Sequence, residues 1–174
     1  MSLRVAICLA FVVAAHPAKG QDRSTALNVP AQGKTGFMLM DPAQTHVVFT
    51  NRLDNYRSLT NQIYHNGSGV AAGDIDGDGR CDLYFGNIDG PNVLYRNLGN
   101  WQFQDITAEA GVACANFDTT GVLFADIDGD GDLDLLVNAI GRGTSVFLND
   151  GKGHFEDVSQ SAGMSTTRGA ISMA

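Results

Sequence analysis

Basic residues, glutamate, proline, cysteine and tryptophan are all scarce in this sequence of 174 residues. Lysine and arginine together number 11 against 19 acidic residues, so the formal net charge of −8 argues against a protein that binds nucleic acid. Only two acidic residues are glutamates, Glu109 and Glu156. The others are aspartates, which favour turns and metal-binding loops and are poor helix formers, so an all-helical bundle is disfavoured.

No apolar run reaches the roughly 20 residues that a membrane-spanning helix needs. The run at residues 5–15 follows Arg4 and precedes small residues at Ala18 and Gly20. This pattern predicts a secretory signal peptide at residues 1–20 and an exported protein, secreted or located in the periplasm or at the cell surface. Cleavage after Ala15 is a second option, and a buried N-terminal strand or helix is the alternative interpretation.

Cysteine is limited to three residues, and Cys8 lies inside the predicted signal. In an exported protein, Cys81 and Cys114 can form a disulfide. The alternative is a pair of buried thiols.

Glycine is the abundant exception, with 21 residues, and hydrophobic residues make up 44% of the chain. This apolar content is sufficient for one core, and glycine supplies the backbone conformations that many tight turns require. The composition therefore predicts short strands joined by tight loops.

One sequence unit occurs twice, at an offset of 52 residues. The segment Asp-Ile-Asp-Gly-Asp-Gly-Arg-Cys-Asp-Leu at residues 74–83 returns as Asp-Ile-Asp-Gly-Asp-Gly-Asp-Leu-Asp-Leu at residues 126–135. The same offset relates Asn97 to Asn149 and Phe103 to Phe155. An ungapped match of this length indicates a structural repeat of the size found in propellers and arrays.

Each unit contains four short apolar segments separated by turn residues. We predict strands at residues 70–73, 83–87, 93–97, 102–107, 122–125, 135–139, 145–149 and 154–159, and single helical turns at 107–111 and 159–163. Four strands per unit of about 50 residues are typical of propeller blades, so the predicted fold class is all-β, with two four-stranded antiparallel blades of an incomplete β-propeller.

The unit boundaries follow from the repeat. We assign residues 1–20 to the signal, 21–60 to an N-terminal segment interpreted as part of a preceding blade, 61–112 to repeat 1, 113–164 to repeat 2 and 165–174 to the start of a third repeat. In the N-terminal segment, residues 45–50 are the best strand candidate. Because the third unit begins at Gly169 and stops at Ala174, we expect the remaining blades of a longer parent protein to be partners of this segment.

The acidic loops carry the clearest chemical signal in the sequence. Counting the first aspartate as position 1, carboxylates stand at positions 1, 3, 5 and 9 of both loops, and position 7 offers a backbone carbonyl. Hard oxygen donors at alternate positions of a glycine-bent loop are what Ca²⁺ prefers, whereas Mg²⁺ requires a stricter octahedron and Zn²⁺ prefers imidazole and thiolate. A solvated acidic turn is the alternative. The predicted ligands of two Ca²⁺ sites are Asp74, Asp76, Asp78, Arg80 and Asp82, and Asp126, Asp128, Asp130, Asp132 and Asp134.

The loops are not those of an EF-hand or a dockerin. Both of these place an acidic ligand at position 12, where this chain has Phe85 and Val137. Both also continue into a helix, whereas the residues that follow these loops are short strand-like runs.

Taken with the segments that follow it, Asn-Val-Leu-Tyr-Arg-Asn at 92–97 and Phe-Gln-Asp-Ile-Thr-Ala-Glu-Ala-Gly-Val at 103–112, the loop resembles FG-GAP/VCBS repeats. The resemblance is to exported ASPIC/UnbV-type and cartilage acidic protein-like β-propellers. It implies a propeller with calcium held between the first two strands of each blade, and a role in adhesion or binding outside the cell.

Motifs for catalysis are missing from the sequence. No nucleophile elbow and no phosphate-binding loop occurs, and the four histidines have no metal-pair spacing, so we do not expect an enzyme. The expected function is a calcium-binding extracellular scaffold for an unidentified protein or glycan. The alternative is the propeller portion of a lectin or carbohydrate-active enzyme, with its site in missing sequence. Tyr84, Tyr95 and Trp101 are sugar-stacking candidates, but packing between blades is the favoured role of these residues.

Overall fold

The computed structural model describes residues 38–164, and these residues form two four-stranded antiparallel sheets. Blade 1 contains β1 (Val70–Gly73), β2 (Asp82–Phe85), β3 (Val93–Gly99) and β4 (Gln102–Asp105). Blade 2 contains β5 (Thr119–Ala125), β6 (Asp134–Ala139), β7 (Gly143–Asn149) and β8 (Phe155–Asp157). In each blade the strands lie side by side in chain order, which confirms the predicted all-β blades.

The helices of the described residues are short. They are α1 (Pro42–Thr45), α2 (Asn55–Thr60), a 3₁₀ helix (Gln62–Asn66) and α3 (Thr107–Ala110). The helical turn predicted at 107–111 is therefore confirmed, while residues 159–163 form a hydrogen-bonded turn. None of the helices within residues 38–164 is both long and apolar enough to cross a bilayer. The predicted signal peptide and third repeat lie outside the described residues.

The strand predicted at residues 45–50 is wrong. Asp41 caps α1 by accepting a hydrogen bond from Ala43 N at 2.9 Å, and Pro42 occupies the first helical turn. Beyond the helix, Val48 N donates to the hydroxyl of Tyr95 at 3.1 Å and not to a neighbouring strand. The Tyr95 hydroxyl therefore takes the place of the backbone acceptor that a neighbouring strand would supply to Val48.

The hydrophobic core lies between the two blades. Its centre is Tyr84, whose side chain is fully buried and whose ring lies 6.3 Å from that of Phe124. Further buried members come from both sheets, from loop residues and from α3 with its flanking residues: Ala71, Ile75, Leu94, Ile106, Ala110, Val112, Val122, Leu135, Val137 and Phe147. Because strand residues alternate between the two faces of a sheet, only one face of each blade contributes to this layer.

Two glycines permit this close packing. A Cβ at Gly73 would lie 2.6 Å from Leu133 Cδ1, and a Cβ at Gly86 would lie 2.8 Å from Thr119 Cγ2. Both distances are shorter than a real Cβ contact. The first and second blades therefore approach each other through positions that only glycine fits without rearrangement.

Polar side chains join the blades around this core. The buried amide of Asn149 donates to Ile75 O at 2.7 Å, and Arg96 Nη2 donates to Lys152 O at 3.1 Å. These two contacts connect the outer hairpin of blade 2 to the loop and third strand of blade 1.

The described residues contain two free cysteines and no disulfide. Cys81 is exposed, whereas Cys114 is partly buried beside Tyr84. Burial raises the pKa of the Cys114 thiol to about 11. The structure thus has two separate thiols, of which only Cys114 is packed inside the protein.

Candidate metal centre

Both acidic loops connect the first and second strands of a blade. Loop 1 (residues 74–82) follows β1, and loop 2 (residues 126–134) follows β5. The glycines at positions 4 and 6 have positive φ in both loops: Gly77 at 71°, Gly79 at 80°, Gly129 at 83° and Gly131 at 98°. Glycine adopts this conformation without steric cost, and the two turns bring the aspartates of each loop together.

The aspartate at position 1 shapes each loop through backbone hydrogen bonds. In loop 1, Asp74 accepts from Asp78 N at 3.1 Å and from Gly79 N at 2.8 Å. In loop 2, Asp126 accepts from Gly129 N at 2.7 Å and from Gly131 N at 3.2 Å. The position 1 aspartate therefore accepts two backbone hydrogen bonds in both loops, from positions 5 and 6 in loop 1 and from positions 4 and 6 in loop 2.

The aspartate at position 9 is fully buried in both loops. Asp82 accepts from Ile75 N at 3.0 Å and Asn97 N at 2.7 Å. Burial raises the pKa of Asp82 against the lowering effect of these two backbone donors. Asp134 makes the equivalent bonds with Ile127 N at 2.8 Å and Asn149 N at 2.9 Å. Both oxygens at position 9 thus hold the loop to the third strand, whatever else they bind.

Three carboxylates converge in each loop. One oxygen each from Asp74, Asp76 and Asp82 lies within 4.8 Å of the other two, and the same holds for Asp126, Asp128 and Asp130. The loops thus bring together six of the ten predicted ligand residues, but the positions in the triad differ between the two loops. Position 5 belongs to the triad of loop 2, whereas position 9 replaces it in loop 1.

Arginine side chains pair with carboxylates of loop 1. In loop 1, Asp78 forms an ion pair with Nη2 of Arg80, and Asp76 Oδ2 lies 3.0 Å from Arg96 Nε. Asp78, which is paired with Arg80, is not a member of the triad of loop 1. The side chain of Asp76 is 15% exposed, so its ion pair with Arg96 is partly shielded from solvent.

Loop 2 has an uncompensated negative charge. Within residues 38–164, no arginine or lysine forms an ion pair with its carboxylates. Desolvation and the neighbouring carboxylates raise the pKa of Asp132, led by Asp130 and Asp126. Its carboxylate lies against Gly151, where a Cβ would be 2.4 Å from Oδ2. The five aspartates of this loop repel one another in the absence of a cation.

The donor set suits a hard cation. All the side-chain donors are carboxylate oxygens, which Ca²⁺ binds in flexible arrangements of six to eight ligands. In loop 1, Asp76 Oδ1 is buried and has no hydrogen-bond partner within the described part of the chain. An unpaired buried carboxylate oxygen is costly, and a bound cation satisfies it.

Arg96 is the residue that sequence reasoning missed. It lies on β3, distant in sequence from the loop that it contacts, so no local motif points to it. A comparison of the two repeats contains the signal, because Leu148 stands at the equivalent position of blade 2.

The residues considered for other functions are not assembled into a site. Tyr84 and Tyr95 are buried in the protein, which agrees with packing, while Trp101 is 66% exposed. His154 is exposed and lies 3.3 Å from Asp150 and 3.8 Å from Glu109.

These features define a class of protein: β-propeller-type blades with an acidic loop between the first two strands. Residues 74–137 match the family model described as FG-GAP-like repeat, which confirms the resemblance seen in the sequence. The chain is 33% identical over 98 residues to cartilage acidic protein 1 of Xenopus tropicalis and 34% identical to cartilage acidic protein 1 of Mus musculus. In both cases the match covers 55% of this chain and 15% of the relative.

Proposed function

We propose that loops 1 and 2 each bind a calcium ion and that the ions stabilise an extracellular β-propeller segment. The observation that carries the proposal is the convergence of three carboxylates in each loop, combined with an unpartnered buried oxygen in Asp76. In loop 1, Asp74, Asp76 and Asp82 would hold the ion, and in loop 2 Asp126, Asp128 and Asp130. The carbonyls of Arg80 and Asp132 and water molecules are the expected remaining ligands.

The role of such a segment is that of a binding or adhesion scaffold. Supporting this, residues 74–137 match the FG-GAP-like repeat model, and the relatives that the chain resembles are named cartilage acidic protein 1. Export by the signal predicted at residues 1–20 would bring the loops into millimolar calcium, where sites with a Kd of roughly 10⁻⁴ to 10⁻³ M are occupied. The ligand of the scaffold is an extracellular protein or glycan.

Thermal unfolding in EDTA, magnesium and calcium tests the calcium sites. At ten times the Kd of one site, calcium is expected to stabilise the folded state by about 1.4 kcal/mol, which raises the melting temperature by a few degrees. Magnesium is expected to raise it less.

Asp130→Asn is expected to remove much of the loop 2 response, while Glu109→Gln, an equal loss of charge at an exposed residue of α3, is expected to retain it. A melting temperature that is the same in EDTA and in saturating calcium would refute the proposal.

A further inference from the structure

The two loops differ in the cations that the protein itself supplies. At the 52-residue offset, Arg80 of blade 1 corresponds to Asp132 of blade 2, and Arg96 corresponds to Leu148. Both arginines contact carboxylates of loop 1, so blade 1 has two positive charges at places where blade 2 has a negative charge and an apolar side chain.

Arg80 is held in place by β3 as well as by its loop. Its Nε donates to Asn97 O at 2.8 Å, and its guanidinium pairs with Asp78. The aliphatic part of the side chain lies along Gly99, where a Cβ would be 3.6 Å from Arg80 Cδ. This anchoring keeps the guanidinium next to the loop and paired with Asp78, which lies outside the carboxylate triad.

Arg96 contacts the loop from β3. Its Nε lies 3.0 Å from Asp76 Oδ2, and its Nη2 donates to Lys152 O of blade 2 at 3.1 Å. The ion pair is more shielded than that of Arg80, because the Arg96 side chain is 24% exposed and the Arg80 side chain 45%. Its charge therefore acts on Asp76 with less solvent screening.

The positive charges of Arg80 and Arg96 repel a metal cation that approaches loop 1. A divalent ion in loop 1 must approach two guanidinium groups and compete with them for Asp76 and Asp78. In loop 2 it meets only carboxylates, including the additional charge of Asp132, and its binding relieves their mutual repulsion.

We propose that Arg80 and Arg96 set the calcium affinity of loop 1, so that calcium fills loop 2 first and binds loop 1 at least about tenfold more weakly. The inference rests on the proposed function and concerns its regulation. Because the two loops differ in affinity, the segment binds calcium in two steps as the calcium concentration rises. At calcium concentrations too low to fill loop 1, the two arginines offset the negative charge of its carboxylates.

Equilibrium dialysis with radioactive calcium on the full chain tests this, with one loop silenced at a time. Asp126→Asn with Asp128→Asn leaves loop 1, and Asp74→Asn with Asp76→Asn leaves loop 2. In the first background, adding Arg80→Asp and Arg96→Leu gives loop 1 the residues of loop 2. We expect the calcium affinity of loop 1 to rise about tenfold, while Arg52→Asp, which matches the charge change of Arg80→Asp at an exposed residue outside both loops, leaves it unchanged.

The reciprocal variant keeps the test valid if loss of Arg96 impairs folding. Asp132 is partly exposed, and Asp132→Arg is expected to weaken calcium binding by loop 2 about tenfold in the second background. Equal wild-type affinities of the two loops, or an affinity of loop 2 that Asp132→Arg leaves unchanged, would overturn the inference and leave the proposed function intact. No binding to either loop at about 10 mM calcium, roughly ten times the highest Kd expected for extracellular sites, would overturn the proposed function itself.

Discussion

At the scale of single residues, the two repeats act as controls for each other. The β3–β4 turn has Asn100 at φ 53° and Trp101 at φ 61°, a region in which bulky residues are strained. Blade 2 has Gly153 at the position equivalent to Trp101, with φ 81°. The comparison isolates a backbone strain that blade 1 retains and blade 2 avoids.

Trp101→Gly is therefore expected to stabilise the protein by about 0.5–1 kcal/mol, because relief of the strain exceeds the entropy cost of glycine. Little burial is lost, since Trp101 is 66% exposed. Urea unfolding measures the change. The control Gln102→Gly, on the adjacent exposed strand residue, is expected to destabilise, and a loss of stability in both variants would contradict the strain argument.

The two cysteines are expected to differ in alkylation by iodoacetamide. At pH 8 Cys81 reacts readily, whereas Cys114 stays protonated because burial raises its pKa from the usual 9.0 to about 11. The folded state therefore favours the Cys114 thiol, and the stability this contributes is present below pH 9 and lost as the pH rises to about 11. Peptide mass spectrometry measures both rates. Equal rates in the folded protein would contradict the burial of Cys114, and equal rates in urea are the expected control.

At the scale of elements, each acidic loop and the hairpin beside it form one unit. Position 9 of the loop accepts hydrogen bonds from the backbone of the loop and of the third strand, as Asp134 does with Ile127 and Asn149. The spacing of the repeat predicted both loops and nearly all strand positions, because turn residues and short apolar runs are local signals. It did not predict Arg96, because that contact joins an element to a loop distant in sequence.

Asp134→Ala is expected to destabilise the protein by about 2–4 kcal/mol, since it leaves two backbone N–H groups without acceptors in a buried site. The measurement is urea unfolding in EDTA, which separates this effect from any loss of calcium. Glu156→Ala, an exposed residue of β8, serves as the comparison. A similar small change in both variants would show that the position 9 aspartate does not hold the hairpin.

At the scale of the whole described segment, the blades are held together by the core and by a polar contact at the N-terminal side. Arg57 of α2 pairs with Asp89 at 3.0 Å and Asp118 at 2.6 Å, and its guanidinium lies 4.8 Å from the ring centre of Tyr64. Asp89 follows β2 and Asp118 precedes β5, so α2 connects the two blades.

The sequence pattern of residues 45–50 led to a wrong strand because apolar content alone does not show which partner a segment has.

Arg57→Met is expected to lower the free energy of unfolding by about 1 kcal/mol. The loss is no larger because the side chain is 33% exposed and solvent screens its ion pairs. The loss should shrink in high salt, which screens the two ion pairs. Arg52→Met removes an equal charge from an exposed residue, and an identical effect of the two substitutions would rule out a specific contact by Arg57.

The most direct test of the account is a crystal structure of the protein grown in calcium, with anomalous scattering data. The account predicts a peak among Asp126, Asp128 and Asp130 and a weaker peak among Asp74, Asp76 and Asp82. A folded protein with no anomalous peak at either loop in millimolar calcium would contradict it.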